Sequence, residues 1–477
     1  MLFSAPLFLY GFFSLFFLGY FLTPRPYKNH FALFGSLFFY AWGEPLFVLI
    51  AFLSALADYA LGRKVARTRE SDPRRSKMFL ALGVGLNLGL LVYFKYTNFF
   101  LKTLCLLANP FHPVQFQPFH ILLPLGVSFI VFEKITYLAD LYRGAGQPAE
   151  KFLNYAAYIF LFPKLLAGPI VKYHDIEDQL ENRPSSEKDI AWGLGRFIAG
   201  LAKKVIIADT MSRLAEKAFS IPLDQLEAGS AWIGIAAFTL QIFFDFSGYS
   251  DMAIGMARMM GFKLNENFDN PYLAESFTDF WRRWHISLST WIRSYLYIPL
   301  GGNRGSRART LFNLVLCFAL CGLWHGAQWT FVVWGLYQGF FLISDKLFWL
   351  RASQNFPAPL KKALTLFLVA MGWVLFRSAS LSDAGQYYLR LFGLTLPTVI
   401  GEPRVFIPQT SDYFLFAAGL CWIVAPAILE KNTVRPSEPS ISISPKPFTA
   451  LAFVFLLLLC MVQISGSSFN PFIYFRF

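Results

Sequence analysis

Charged residues are scarce in this chain: they make up 15% of its 477 residues, against 56% hydrophobic and 18% aromatic. A soluble domain carries about 25% charge, and without it large apolar patches would face water. The composition therefore excludes an ordinary soluble fold and predicts an all-α polytopic membrane protein. Cysteine is also scarce. The five present (Cys105, Cys317, Cys321, Cys421, Cys460) lie in or beside apolar runs, which excludes a disulfide framework. No GxSxG elbow, P-loop, HExxH pair or dinucleotide fingerprint occurs, so a soluble hydrolase or nucleotide-binding mechanism has no residues to work with. No internal repeat is visible. The net charge of +13 does not point to nucleic acid, because the basic residues cluster between apolar segments, as cytoplasmic loops of membrane proteins require.

The apolar runs set the topology. Met1 to Leu22 reads as a retained span and not a cleaved leader, and Arg25 and Lys28 after it favour an external N-terminus. Phe31 to Ala60 is broken by Gly43-Glu44-Pro45 and predicts two short helices. Arg63, Lys64, Arg67, Arg69, Arg74, Arg75 and Lys77 then crowd one short loop, which is assigned to the cytoplasm. Further apolar segments occupy 78–106, 119–142, 152–171, 191–209, 229–260, 311–323, 327–350, 361–378, 411–430 and 449–465. Pro124, Gly126, Glu133, Lys134, Pro163, Lys164, Gly168 and Pro169 predict broken or re-entrant helices within them. The expected total is about eleven to thirteen membrane segments, some partial. They form a single domain over 1–477, with N-terminal helices in 1–110, a catalytic core in 119–390 and C-terminal helices in 411–477. Glu430 to Pro447 reads as a polar linker.

Among the candidate functional residues, His325 stands first. It lies in Trp324-His325-Gly326-Ala327, between two strongly apolar runs, where an ionisable group defaults to function. A neutral imidazole there can take the proton of an alcohol attacking an ester or thioester. His285, in Trp281-Arg282-Arg283-Trp284-His285, is the second candidate, either holding the acyl group or orienting a helix. Arg282, Arg283, Arg293, Arg304, Arg307 and Arg309 follow one another without an acidic residue from 282 to 310. This pattern is either positive-inside bias or a funnel for a phosphate-bearing acyl donor such as coenzyme A or a carrier protein. Arg293 is the leading member, as the deepest in the apolar register. Six of the twelve tryptophans, Trp281, Trp284 and Trp324 among them, fall between 281 and 334 and suit the walls of an acyl-pantetheine tunnel. Ser289 lies on the same expected path. Asp245 and Asp251 need partners in a spanning segment: an arginine or backbone amides at a helix break near Gly248, or an imidazole they orient. Cys317, Cys321 and His325 share a helical face, but helix packing explains that spacing and no metal site is expected.

Phe162-Pro163-Lys164-Leu165-Leu166-Ala167-Gly168-Pro169-Ile170, Asp245-Phe246-Ser247-Gly248-Tyr249-Ser250-Asp251 and Asn267-Phe268-Asp269-Asn270-Pro271-Tyr272 together resemble the membrane-bound O-acyltransferase superfamily. Phe280 to Gly302, Gly322 to Thr330 and the terminal Asn470 to Phe475 continue the match. The resemblance is strongest to the bacterial branch typified by the alginate O-acetyltransferase membrane subunit, and more distant to the teichoic acid D-alanyl transfer proteins. It implies a helical bundle with cytoplasmic and external funnels meeting at a narrow waist, in the bacterial cytoplasmic membrane. It further implies transfer of an acyl group, acetyl foremost, from a cytoplasmic thioester donor to an exported or cell-wall polysaccharide such as alginate. His325 and His285 fall on the family's two active-site histidines. No bound cofactor is implied; acetyl-coenzyme A or an acyl carrier thioester is the donor, with membrane lipid and periplasmic acetyltransferase proteins as partners. Two positions depart from the pattern: Ser294 where an aspartate is expected and Gln338 where a histidine often stands. Alternatives are D-alanyl or other acyl transfer through a carrier protein, a polysaccharide export channel, or a non-catalytic assembly scaffold.

Overall fold

The structure is a computed structural model that describes residues 1–108, 116–395, 408–429, 447–466 and 472. The expected linker lies outside the described residues, as does the terminal motif apart from Phe472. Every regular element among the described residues is helical. Among the described residues, five helices are long and apolar enough to cross a membrane, and two shorter apolar helices accompany them. This is a polytopic all-α membrane protein. The chain divides into two compact units, Met1–Phe197 with Met252–Asn265, and Ile198–Asp251 with Glu266–Phe477.

In the first unit, the run from Leu7 forms a wide π-helical stretch (Leu7–Phe13) leading into α1 (Ser14–Leu22). Gly43-Glu44-Pro45 separates α2 (Lys28–Ala41) from α3 (Phe47–Thr68), as the sequence predicts, but α3 is 22 residues long and not short. It therefore absorbs Arg63, Lys64 and Arg67 into its last turns, while Arg74, Arg75 and Lys77 open α4 (Pro73–Leu91), which continues through a π-turn into α5 (Thr97–Ala108). The expected basic loop is thus two facing helix ends. Asp72 caps α4, its side chain accepting from the Arg75 amide, and Pro73 supplies the favoured first helical residue.

The first-unit segments expected to be broken behave in two ways. Gly126, at φ 76°, stops the chain before α6 (Val127–Arg143), and Leu161, with Pro163 just behind it, separates α7 (Phe152–Phe160) from the single turn α8 (Phe162–Leu165). Glu133 and Lys134, by contrast, leave α6 unbroken. Each is neutralised instead: Glu133 pairs with Lys164, and Lys134 Nζ lies 2.9 Å from Asp58. An ion pair satisfies the charge without opening the backbone, so no kink is needed. The unit continues with α9 (Tyr173–Glu181) and the start of α10 (Glu187–Ala202).

The second unit carries α11 (Asp209–Phe219) and most of the long α12 (Ala228–Met259), whose last turns from Met252 belong to the first unit. The helix break anticipated at Gly248 is absent. Gly248 is instead a close-approach residue: an added methyl would sit 2.7 Å from the Gly200 carbonyl oxygen of α10. After α12 come the short α13 (Phe277–Arg283) and α14 (Ile286–Ile292), then α15 (Arg307–His325) and α16 (Trp329–Ser344). The last two pack tightly because Gly322 and Gly335 face each other; a methyl on Gly322 would run into the Phe331 carbonyl, and one on Gly335 into that of Phe318. A single turn, α17 (Leu350–Ala352), precedes α18 (Ala358–Arg377), which packs on α16 and is followed by α19 (Leu381–Leu391). Then come α20 (Thr410–Leu429) and α21 (Pro447–Gly466).

Candidate active site

His285 sits at the junction of α13 and α14 with φ 43°, one of two non-glycine residues in the left-handed region among the described residues. Such a conformation costs energy and persists only where its surroundings impose it. They do so from both sides. Trp284, 1% exposed, is clamped between Phe280, Phe268, Tyr272 and Trp373. The extended strand of chain before it is tied across the junction: the Asp269 amide donates to Arg283 O at 2.9 Å, and the Ile286 amide to Asn267 O at 3.0 Å.

The same pairing brings the Asn267 side chain to the imidazole and decides its tautomer. The Ser287 backbone N–H, an obligatory donor, points at Asn267 Oδ1 (3.2 Å), and the Ser287 hydroxyl donates to the same oxygen (2.9 Å). Asn267 Nδ2 donates to Ser250 Oγ on α12 at 3.1 Å, so both ends of the amide are assigned. His285 Nδ1, 3.1 Å from that oxygen, must then carry the proton. Nε2 keeps its lone pair, buried and without a hydrogen-bond partner among the described residues. His285 is fully buried, its ring held edge-on by Phe246 at 4.7 Å.

His325 is the last residue of α15, fixed by the glycine-mediated contact with α16. Its ring meets Trp334 (5.0 Å, perpendicular), Phe376 (5.5 Å) and Trp324 (4.9 Å). Trp324 lies 6.0 Å from the His285 ring as well, so one indole touches both histidines. Trp281, Trp334, Trp373 and Phe376 continue the aromatic wall, with Trp334 stacked on Trp373 at 5.8 Å. Gln338, at the position where a histidine was expected, accepts from Trp281 Nε1 at 3.2 Å. Its Nε2 and Trp334 Nε1 are buried N–H donors with no acceptor among the described residues. The arrangement thus offers a proton acceptor and N–H donors within one aromatic box.

The remaining sequence candidates lie elsewhere. Ser289 is half-buried and donates to Trp284 O. Arg282 and Arg293 are exposed, so Arg293 is not deep in the apolar register: it starts a π-turn (Arg293–Tyr297) that turns its side chain outward. Asp245 and Asp251 each pair with a lysine, Lys204 Nζ at 3.1 Å and Lys203 Nζ at 2.6 Å. Lys204 also holds Asp209 at 2.5 Å. Cys317 and Cys321 are buried along the α15 face that ends in His325. Sequence reasoning missed Asn267, Ser250, Trp373 and Phe376. For Asn267 a signal existed: it is a polar residue inside a motif already singled out, 18 positions from the histidine it holds.

Comparison with known proteins gives this site a family. A model of MBOAT, the membrane-bound O-acyltransferase family, matches residues 149–382, which include both histidines. The chain is 38% identical to the probable alginate O-acetylase AlgI of Azotobacter vinelandii over 504 aligned residues, 100% of both chains. It is 35% identical to the peptidoglycan O-acetyltransferase of Helicobacter pylori, over 86% of this chain and 84% of that one. With the teichoic acid D-alanyltransferase of Bacillus subtilis it shares 25% identity over 56% of this chain and 71% of the other. The chain belongs to the membrane-bound O-acyltransferase family and is an O-acyltransferase.

Proposed function

We propose that this enzyme takes an acetyl group from a cytoplasmic thioester, acetyl-coenzyme A or an acylated carrier, and delivers it to hydroxyls of an exported or cell-wall polysaccharide of the alginate or peptidoglycan type. It works in the bacterial cytoplasmic membrane, with periplasmic acetyltransferase proteins as partners in the final esterification. The observation that carries this reading is the pairing of two buried imidazoles across one indole, the first locked as its Nδ1–H tautomer with Nε2 bare. The relatives that match most or all of the chain are named for alginate and peptidoglycan, which favours acetyl over D-alanyl transfer.

In the reaction, the acceptor hydroxyl oxygen bonds to the thioester carbonyl carbon while His325 takes its proton. Collapse of the tetrahedral adduct breaks the C–S bond, and the imidazolium returns the proton to the leaving thiolate. His285 Nε2 can accept but not donate a hydrogen bond, so it positions the acceptor through a neighbouring sugar hydroxyl and leaves the reacting proton to His325. Oxyanion stabilisation falls to N–H donors such as Trp334 Nε1 and Gln338 Nε2.

The test is acetyl transfer from radiolabelled acetyl-coenzyme A by purified protein in detergent, with alginate or peptidoglycan oligosaccharides as acceptors. Wild type should release the thiol and label the acceptor, and His325→Ala should lose both while eluting as a folded monodisperse protein. An active alanine variant would overturn the histidine mechanism.

A further inference from the structure

Two cavities in the first unit share one helix. A polar one of about 570 Å³ lies where α2 begins and is lined by Arg25, Lys28, Lys151 and Arg183, with Glu150 and Glu181 also on its wall. Its four cations outnumber its two carboxylates, and none of the four forms an ion pair among the described residues. Arg183 is held rigidly by neutral acceptors alone, Tyr20 Oη, Met260 O, Gln179 O and Leu180 O, so its charge stays uncompensated. Lys28 lies 4.6 Å over the Tyr20 ring, and burial, then the nearby Arg183 and Arg25, hold its pKa below the usual lysine range. These cations repel one another where an anion would relieve them.

The second cavity, about 480 Å³, is an apolar groove between the first helical run and α2, lined by residues such as Gly11, Phe12 and Leu15 on one side and Phe31, Phe38 and Trp42 on the other. Lys28, Phe31, Gly35, Phe38 and Trp42 follow one another at steps of three and four, so a single face of α2 carries the cationic cavity at its start and the groove along its length. The 14 residues of α2 rise by about 1.5 Å each, about 21 Å in all, enough to run through the roughly 15 Å hydrocarbon depth of one leaflet. Phe38 and Trp42 stay more than half exposed along it. The wall of the polar cavity is tied to the basic end of α3: Tyr59 Oη donates to Glu150 O at 2.8 Å, and Arg63 to Tyr59 Oη. Basic pockets on the basic side of a bilayer select anionic headgroups.

We propose that this unit binds one anionic phospholipid, its phosphate among Arg25, Lys28, Lys151 and Arg183 and one acyl chain in the groove along α2. The test uses the full-length protein in detergent, titrated with phosphatidylglycerol, phosphatidylcholine of the same chains, and coenzyme A, and read by native mass spectrometry. Wild type should bind phosphatidylglycerol selectively. Arg25→Ala with Lys28→Ala should bind it roughly 25-fold more weakly, about fivefold for each cation near a membrane surface. Gly11→Leu, whose added side chain begins in open contact 3.7 Å from Leu7, should fill the groove and weaken binding with the cations intact. Arg74→Ala with Lys77→Ala, an exposed basic pair on α4, should change nothing. Equal binding of phosphatidylcholine, equal loss in the α4 pair, or no loss in Gly11→Leu would overturn the proposal. So would coenzyme A binding that disappears in the Arg25 and Lys28 variant while phosphatidylglycerol binding survives, which would make the cavity a nucleotide-phosphate site.

Discussion

The ion pairs of the first unit and the histidine pocket of the second bury polarity in opposite ways. Around α6, Lys134 meets Asp58 and Lys164 meets Glu133, all nearly sealed from solvent, with Asn87 donating to Asp58 at 2.8 Å as a further tie. Charge there is matched to charge. In the pocket, the buried groups are imidazoles and indoles, and the hydrogen bonds fix one nitrogen of His285 while leaving the other for a substrate. The first arrangement holds helices in register; the second holds a proton acceptor ready. A buried charge in a membrane protein therefore marks function less reliably than a buried group whose bonding is deliberately half complete.

The largest effect that tests this contrast is on turnover. His325→Ala should lower acyl transfer by about 10²–10⁴-fold, the range for a lost acid–base group, and His285→Ala, which removes a positioning acceptor, by about 10²-fold, each with melting temperature in detergent unchanged. A histidine variant that loses stability instead would move the pocket into the same class as the ion pairs. For the pairs the pattern should reverse. Lys164→Met leaves Glu133 buried without its counter-charge and should destabilise the protein by about 3–5 kcal/mol, read as a drop in melting temperature. Glu133→Leu together with Lys164→Met should recover most of it, because an apolar pair removes both desolvation costs. A double variant as unstable as the single one would show that the pair contributes more than mutual neutralisation.

Asn267 joins the two modes, since it is a structural residue acting on a chemical one. Asn267→Ala should lower kcat by about 10–100-fold, the usual loss for a group that orients an imidazole, with donor KM nearly constant. Asn267→Asp still accepts from Nδ1–H and should restore part of the rate, while its charge makes the imidazole more basic and moves the pH–rate profile. A purely structural asparagine would give the same loss in both variants and no change in the pH profile.

How much of this was legible beforehand depends on the range of the interaction. The class, the break at Gly43-Glu44-Pro45 and the prominence of His325 and His285 follow from composition and from residues adjacent in the chain. The unbroken α6 and α12 do not. Glu133, Lys134, Asp245 and Gly248 look like helix breakers locally, but partners far along the chain neutralise them or pack against them, and a one-dimensional pattern contains no partner. The assignment of His285 Nδ1 is of the same kind. It needs the backbone pairing of 267–269 with 283–286, which only the fold supplies.

The smallest expected effect concerns Arg293, whose rank in the sequence came from its apolar neighbours. The wide turn Arg293–Tyr297 brings its side chain out to the surface. A guanidinium there can attract a phosphate-bearing donor only through a screened field, because exposed charges interact weakly beyond about 10 Å at ordinary salt. Arg293→Ala should therefore raise the donor KM by about two- to fivefold at low ionic strength, leave kcat alone, and converge on wild type as salt rises. Measuring KM for acetyl-coenzyme A at two salt concentrations decides the matter. A loss of kcat that salt does not erase would place Arg293 against the reacting thioester. The division between a pocket that reacts and charges that only steer or brace would then have to be redrawn to include one cation in the chemistry.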